Sequence, residues 1–113
     1  MHVSVIGNPD DSVVVTVRGN LDIDAAPVLN TTLDQVLDRP QPHVVVDLSR
    51  VEFCDSTGLS AFVVGHRRAT AAGGWLRFAA AGAWLQGLME TVGLSRSLAI
   101  YPSVADALAA PGL

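Results

Sequence analysis

Along the chain, the spacing of apolar residues switches between the twofold period of a strand and the 3.6-residue period of a helix. Val3-Ser4-Val5-Ile6 and Ser12-Val13-Val14-Val15-Thr16-Val17 are strand-like runs. Gly7-Asn8-Pro9-Asp10-Asp11 between them is rich in turn formers, which predicts an antiparallel hairpin. Gly19-Asn20-Leu21-Asp22-Ile23-Asp24 reads as a loop with Asp24 as the helix N-cap. Val28, Leu29, Thr32, Leu33, Val36 and Leu37 then recur at helical spacing, with Pro27 tolerated in the first turn and Pro40-Gln41-Pro42 ending the run. The continuously apolar Val44–Leu48 predicts a strand covered on both faces, followed by a short polar turn.

Asp55-Ser56-Thr57-Gly58 opens a second helix, with Leu59, Phe62, Val63, His66 and Thr70 on one side and Gly73-Gly74 at its end. Trp75-Leu76-Arg77-Phe78-Ala79 is a further strand. Leu85, Leu88, Met89 and Val92 mark a third helix, closed by Gly93. Ser97–Tyr101 reads as a final strand and Ser103–Ala109 as a short last helix. Helical crossovers make the later strands parallel, and the first hairpin adds an antiparallel edge. The expectation is a single α/β domain over residues 1–113, with a mixed, mostly parallel sheet of about five strands and about four helices. In such sheets the functional crevice lies at the carboxyl ends of the strands, where Asp55-Ser56 falls.

Composition narrows the choice of function. Half of the 113 residues are hydrophobic and 16% are charged, enough apolar material for a real core. The net charge is −4, and all seven basic residues are Arg, with Arg67-Arg68 the only basic pair. No basic stripe suits a nucleic acid. The absence of Lys removes P-loop and Schiff-base chemistry. Cys54 is the only cysteine, so no disulfide forms within the chain and a reducing cytoplasm is its natural setting. No apolar run approaches the roughly 20 residues that cross a bilayer. His2, His43 and His66 lack ligand spacing, so neither metal nor cofactor is expected.

A Ser at a helix start is a cap, a nucleophile or a switch. A nucleophile elbow would place a small residue where Cys54 stands and would need a usable His downstream; His66, the only one, falls on the inward side of the helix. The aspartic protease motif has one hydroxyl residue between Asp and Gly, whereas here there are two. A receiver-type phosphoacceptor at Asp47 would need a Lys and an early acidic pair after a parallel strand. As a local description, Ser56 or Asp55 caps the helix. The outward residues are read as Ser60, Ala61, Val64, Gly65 and Arg68, a smooth, partly apolar face that suits a docking protein.

The chain resembles STAS domains of the anti-anti-sigma factor type (anti-sigma factor antagonists of bacteria) over nearly its whole length. Gly19-Asn20-Leu21-Asp22, Val45-Val46-Asp47-Leu48-Ser49 with Val51 and Phe53, and Asp55-Ser56-Thr57-Gly58-Leu59 are similar to successive family motifs. Gly73-Gly74 and Val92-Gly93-Leu94 also fit. The resemblance implies a regulator without catalysis of its own. In its unphosphorylated form it would bind an anti-sigma factor with a histidine-kinase-like fold and so release a sigma factor. That partner would act as a serine kinase on Ser56, and a PP2C-type phosphatase would reverse the modification. Asp22, Asp55, Ser56, Thr57 and Gly58 would lie in the partner-binding region, with Ser60, Ala61, Val64 and Arg68 beside them.

Two departures from the family pattern bear on this reading. Asn20 stands where the family often has Glu, and Thr57 supplies a second candidate acceptor. A phosphate would add about −1.5 to −2 charge at a helix N-terminus that tolerates anions, beside Asp22 and Asp55 on a docking surface. A second reading keeps the fold but makes it a module for a small ligand, a nucleotide or a lipid, or a scaffold in a larger signalling complex.

Overall fold

The computed structural model describes residues 1–112. Strands β1 (His2–Gly7) and β2 (Val13–Leu21) form the hairpin, followed by α1 (Ala26–Leu37), β3 (His43–Cys54), α2 (Ser56–Ala71) and β4 (Trp75–Ala79). Then come α3 (Ala83–Thr91), a 3₁₀ turn (Leu94–Arg96), β5 (Ala99–Tyr101) and α4 (Val104–Ala109). The strands lie in sequence order in one five-stranded sheet, with β1 antiparallel to β2 and the others parallel. The expected α/β class and mixed sheet are what is observed.

One face of the sheet carries Val15, Val17, Val44, Val46, Leu48, Leu76 and Phe78 into a core closed by α1, α2 and α3. The other face is covered only in part. There α4 seats Ala107 against Val45 and Ala79, joined by Val14, Trp75 and Tyr101. Arg77 is buried on this side, 4% exposed. Its guanidinium donates to the carbonyls of Ala107, Ala110 and Pro111 at 2.8–3.0 Å and lies 3.7 Å over the Trp75 ring. The carbonyl end of α4 thus supplies the negative partner that a buried cation requires.

Three local expectations need correction. β3 does not end at Leu48; it runs through Ser49-Arg50-Val51-Glu52-Phe53 to Cys54. Only His43–Asp47 pair with β4, whereas Arg50, Val51, Phe53 and Cys54 pair with β2 alone. This part is a two-stranded ribbon with exposed polar side chains, and its composition therefore imitates a turn. For the same reason Gly19-Asn20-Leu21 belongs to β2 rather than to a loop. Finally, Asp24 does not cap α1: the N-cap is Ala25, with no side-chain cap bond, and it is the carboxylate of Asp22 that orders the turn before the helix, accepting the N–H groups of Asp24 (3.1 Å) and Ala25 (3.0 Å).

Candidate functional site

β2 and β3 are parallel neighbours, so their carboxyl ends deliver Leu21-Asp22 and Cys54-Asp55 to one edge of the sheet. The Asp55 N–H donates to the Leu21 carbonyl at 3.2 Å and locks the two ends together. Asp55 is the N-cap of α2, with extended backbone. Its carboxylate accepts the N–H of Thr57 (2.9 Å), the N–H of Gly58 (3.3 Å) and the Thr57 hydroxyl (2.5 Å). The Thr57 hydroxyl is the main reason that the Asp55 carboxyl titrates below the usual range, with backbone N–H groups of Gly58, Thr57 and Ile23 adding to it against some desolvation.

Ser56 is therefore not the cap. It is the first residue of α2, exposed, and its hydroxyl makes no hydrogen bond to any described residue. Thr57 is half-buried with its hydroxyl engaged by Asp55. The two neighbours have different jobs.

Gly58 is buried because nothing larger fits. A Cβ there would stand 2.7 Å from Leu21 Cγ, 2.8 Å from Cys54 Sγ and 2.9 Å from the Leu21 carbonyl oxygen. Its place is thus in packing α2 onto β2, and it does not offer a partner any surface. Ala61 likewise departs from the docking face read from the sequence, being 3% exposed, and Gly65 is buried too. A Cβ on Gly65 would come within 2.8 Å of Leu76 Cδ2 and 3.1 Å of Leu33 Cδ1. The small residues of α2 face inward, where they let the helix approach α1 and β4 closely. Ser60 and Val64 are exposed as expected, Val64 at 51%. Arg68 is exposed but ion-paired with Asp34 of α1, about 18 Å along the helix from Ser56 at 1.5 Å per residue.

Three exposed apolar side chains near this edge were not singled out from the sequence as contact residues. Ile23 is 67% exposed in the loop that bears on Asp55. Phe53, at the end of β3, stacks on Trp84 at the start of α3, with ring centroids 5.7 Å apart. Both rings remain about half-exposed. Phe53 breaks the alternation of the ribbon by showing an aromatic ring to solvent, the one signal that could have marked it.

The chemistry available here is limited. His66 lies about 15 Å along α2 from Ser56, with its Nδ1 buried and unpartnered among the described residues. Burial, and secondarily Asp55, push the Cys54 thiol up to about 12, so it is no thiolate nucleophile. Among the described residues no three His, Cys, Asp or Glu side chains are grouped to hold a metal. No helix of the described residues is long and apolar enough to cross a membrane. What the site offers is a free hydroxyl, fixed carboxylates and exposed apolar rings.

Residues 4–102 match the family model described as Mlab, STAS domain. No curated protein matches the sequence. Among solved structures, an anti-sigma factor antagonist from Mycobacterium paratuberculosis is 29% identical, with a TM-score of 0.82 over 95% of this chain and 92% of that one. An anti-sigma-factor antagonist (STAS) domain protein from Planctomyces limnophilus has a TM-score of 0.81 at 18% identity, covering 94% of each chain. The Bacillus cell fate determinant SpoIIAA in its phosphorylated form has a TM-score of 0.71 at 15% identity, over 95% of this chain and 96% of that one. The last two share the fold.

Proposed function

The chain belongs to the STAS domain family, and from that premise we propose that it is an anti-sigma factor antagonist switched by phosphorylation of Ser56. Residues 1–113 act as one STAS domain in the cytoplasm, without catalysis of their own. The unphosphorylated form binds an anti-sigma factor that is also a serine kinase, and so releases a sigma factor. A PP2C-type phosphatase restores the bare serine.

The observation that carries this reading is the division of roles at the start of α2. Asp55 caps the helix, Thr57 is tied to that cap, and Ser56 is left exposed with a free hydroxyl. A phosphate on Ser56 finds the N–H groups of Thr57 and Gly58 already taken by Asp55. It therefore stands outward beside an ionised carboxylate, where a partner's approach would have to desolvate both charges. Asp22, Ile23, Phe53, Trp84, Ser60 and Val64 form the surrounding contact surface. Gly58 and Ala61 support it from beneath.

Calorimetry with the cognate anti-sigma factor tests the reading. Wild type binds, the Ser56→Ala variant binds and resists phosphorylation, and Ser56→Asp loses binding while keeping its fold. A Ser56→Asp protein that binds as tightly as wild type overturns it.

A further inference from the structure

The half of the sheet face that α4 leaves open carries an unusual row of charge. His2 pairs with Arg18 across the antiparallel hairpin, and Arg18 pairs with Arg50 across the parallel ladder. Three basic side chains thus stand side by side on adjacent strands, all exposed. Cross-strand neighbours lie only about 5 Å apart at Cβ, and like charges in that arrangement destabilise a sheet. The fold offers them no ion pair: among the described residues the only salt bridge is Arg68–Asp34. Asp47, one step along the same face opposite Thr16, turns its carboxylate to the Ser49 N–H. Glu52 stands at the rim beside Arg18 and Arg50 without reaching either as an ion pair.

The surface between these side chains is concave. Arg18 and Arg50 line a shallow depression of about 410 Å³ together with His2, Val3, Ser4 and Thr16. Two guanidiniums give ten N–H donors in planar forks, and two hydroxyls and an imidazole are the other polar groups of the lining. A monocarboxylate has two oxygens and one charge, too little to serve both arginines. A phosphate monoester has three terminal oxygens and nearly two charges, which matches the pair in number and sign. In a chain of net charge −4 this is a local reversal of field.

We propose that the open sheet face binds a phosphate ester, with Arg18 and Arg50 as its principal ligands and His2, Ser4 and Thr16 as supporting donors. The site stands apart from Ser56 and does not depend on the switch reading. Because the arginines are exposed, the interaction weakens with salt and must be measured at fixed ionic strength.

The test is an NMR titration of the full ¹⁵N-labelled chain with inorganic phosphate and with AMP, alongside flotation with vesicles containing phosphatidic acid. Phosphate or AMP should move the resonances of His2, Ser4, Thr16, Arg18 and Arg50. The Arg18→Gln/Arg50→Gln double variant, folded by circular dichroism, should weaken that response at least about tenfold, the scale of one lost charge-assisted contact. Retention on vesicles that the double variant loses, without response to AMP, supports the same phosphate chemistry presented by a lipid headgroup. The proposal is overturned if sodium acetate at equal ionic strength moves the same resonances equally, if the double variant responds like wild type, or if no arm responds.

Discussion

The Thr57 hydroxyl donates to the Asp55 carboxylate at 2.5 Å, and this bond separates the roles of two adjacent hydroxyl residues. Thr57 becomes part of the cap and Ser56 is left with nothing to hold. Kinase treatment with ATP should therefore modify Ser56, as read by mass spectrometry. The Ser56→Ala protein should remain unmodified, while Thr57→Val should still be phosphorylated. Phosphate found on Thr57 in the wild-type protein contradicts this assignment.

The same carboxylate ties helix stability to pH. Folding lowers the Asp55 pKa below the 3.8 of a free carboxyl, with the Thr57 hydroxyl as the largest cause. A lowered folded-state pKa contributes stability that is fully present above the unfolded value and lost as pH falls through the folded one. Asp55→Asn should melt below wild type at pH 7, and the gap should hold down to about pH 3.8 and narrow as the pH falls below it. A gap that stays constant below that pH would assign the effect to something other than ionisation.

Two glycines should respond with opposite signs to the same change. Gly58→Ala drives a methyl against the Leu21 carbonyl and Cys54 Sγ and should destabilise by about 1–3 kcal/mol, the scale of overpacking. At Gly87, inside α3, an added methyl would meet nothing within 4 Å. Gly87→Ala should stabilise by up to about 1 kcal/mol through helix propensity. Urea denaturation of both variants decides the matter, and equal signs would refute the packing account of Gly58.

Phe53 and Trp84 form an exposed stacked pair at the edge that holds Ser56. On the proposed function, Trp84→Ala should weaken binding to the anti-sigma factor by about 2 kcal/mol, some thirtyfold. Its folding stability should change far less, because half of the ring already meets water. Binding should also shift Trp84 fluorescence to the blue. Unchanged affinity in the variant would move the contact surface elsewhere.

Cys54 offers a chemical check on the packing beneath Gly58. With its thiol pushed up to about 12, chiefly by burial, it should resist Ellman's reagent at pH 8 in the native protein and react once unfolded. Rapid native labelling would mean that the edge between β2 and α2 opens.

Most of the architecture was legible because apolar period distinguishes strand from helix. The hairpin, the crossover order and the place of Asp55-Ser56 at a strand's carboxyl end all followed from it. What escaped were positions where composition and location part company. Ser49-Arg50 is strand, but in a ribbon beyond the reach of β4, so its polar residues resemble a turn. Ala61 and Gly65 are small because α1 and β4 come close, yet on a helical wheel small residues sit as easily outside as in. Asp24 does not cap α1, and Asp22 instead orders the turn before it, its carboxylate reaching forward to two amides, a matter of side-chain geometry. The Phe53–Trp84 stack joins residues 31 positions apart, beyond any local pattern.

The buried guanidinium of Arg77 finds its three carbonyl acceptors 30, 33 and 34 residues further along the chain. On a ribosome, β4 is therefore complete long before its charge can be neutralised. Until Ala107 emerges, an interior strand carries a cation with none of these acceptors, and until Pro111 follows the set is incomplete, so the sheet cannot close around it without penalty. The domain is thereby biased to consolidate last at its carboxyl end, and a nascent chain stalled before that point should remain open to proteases and chaperones.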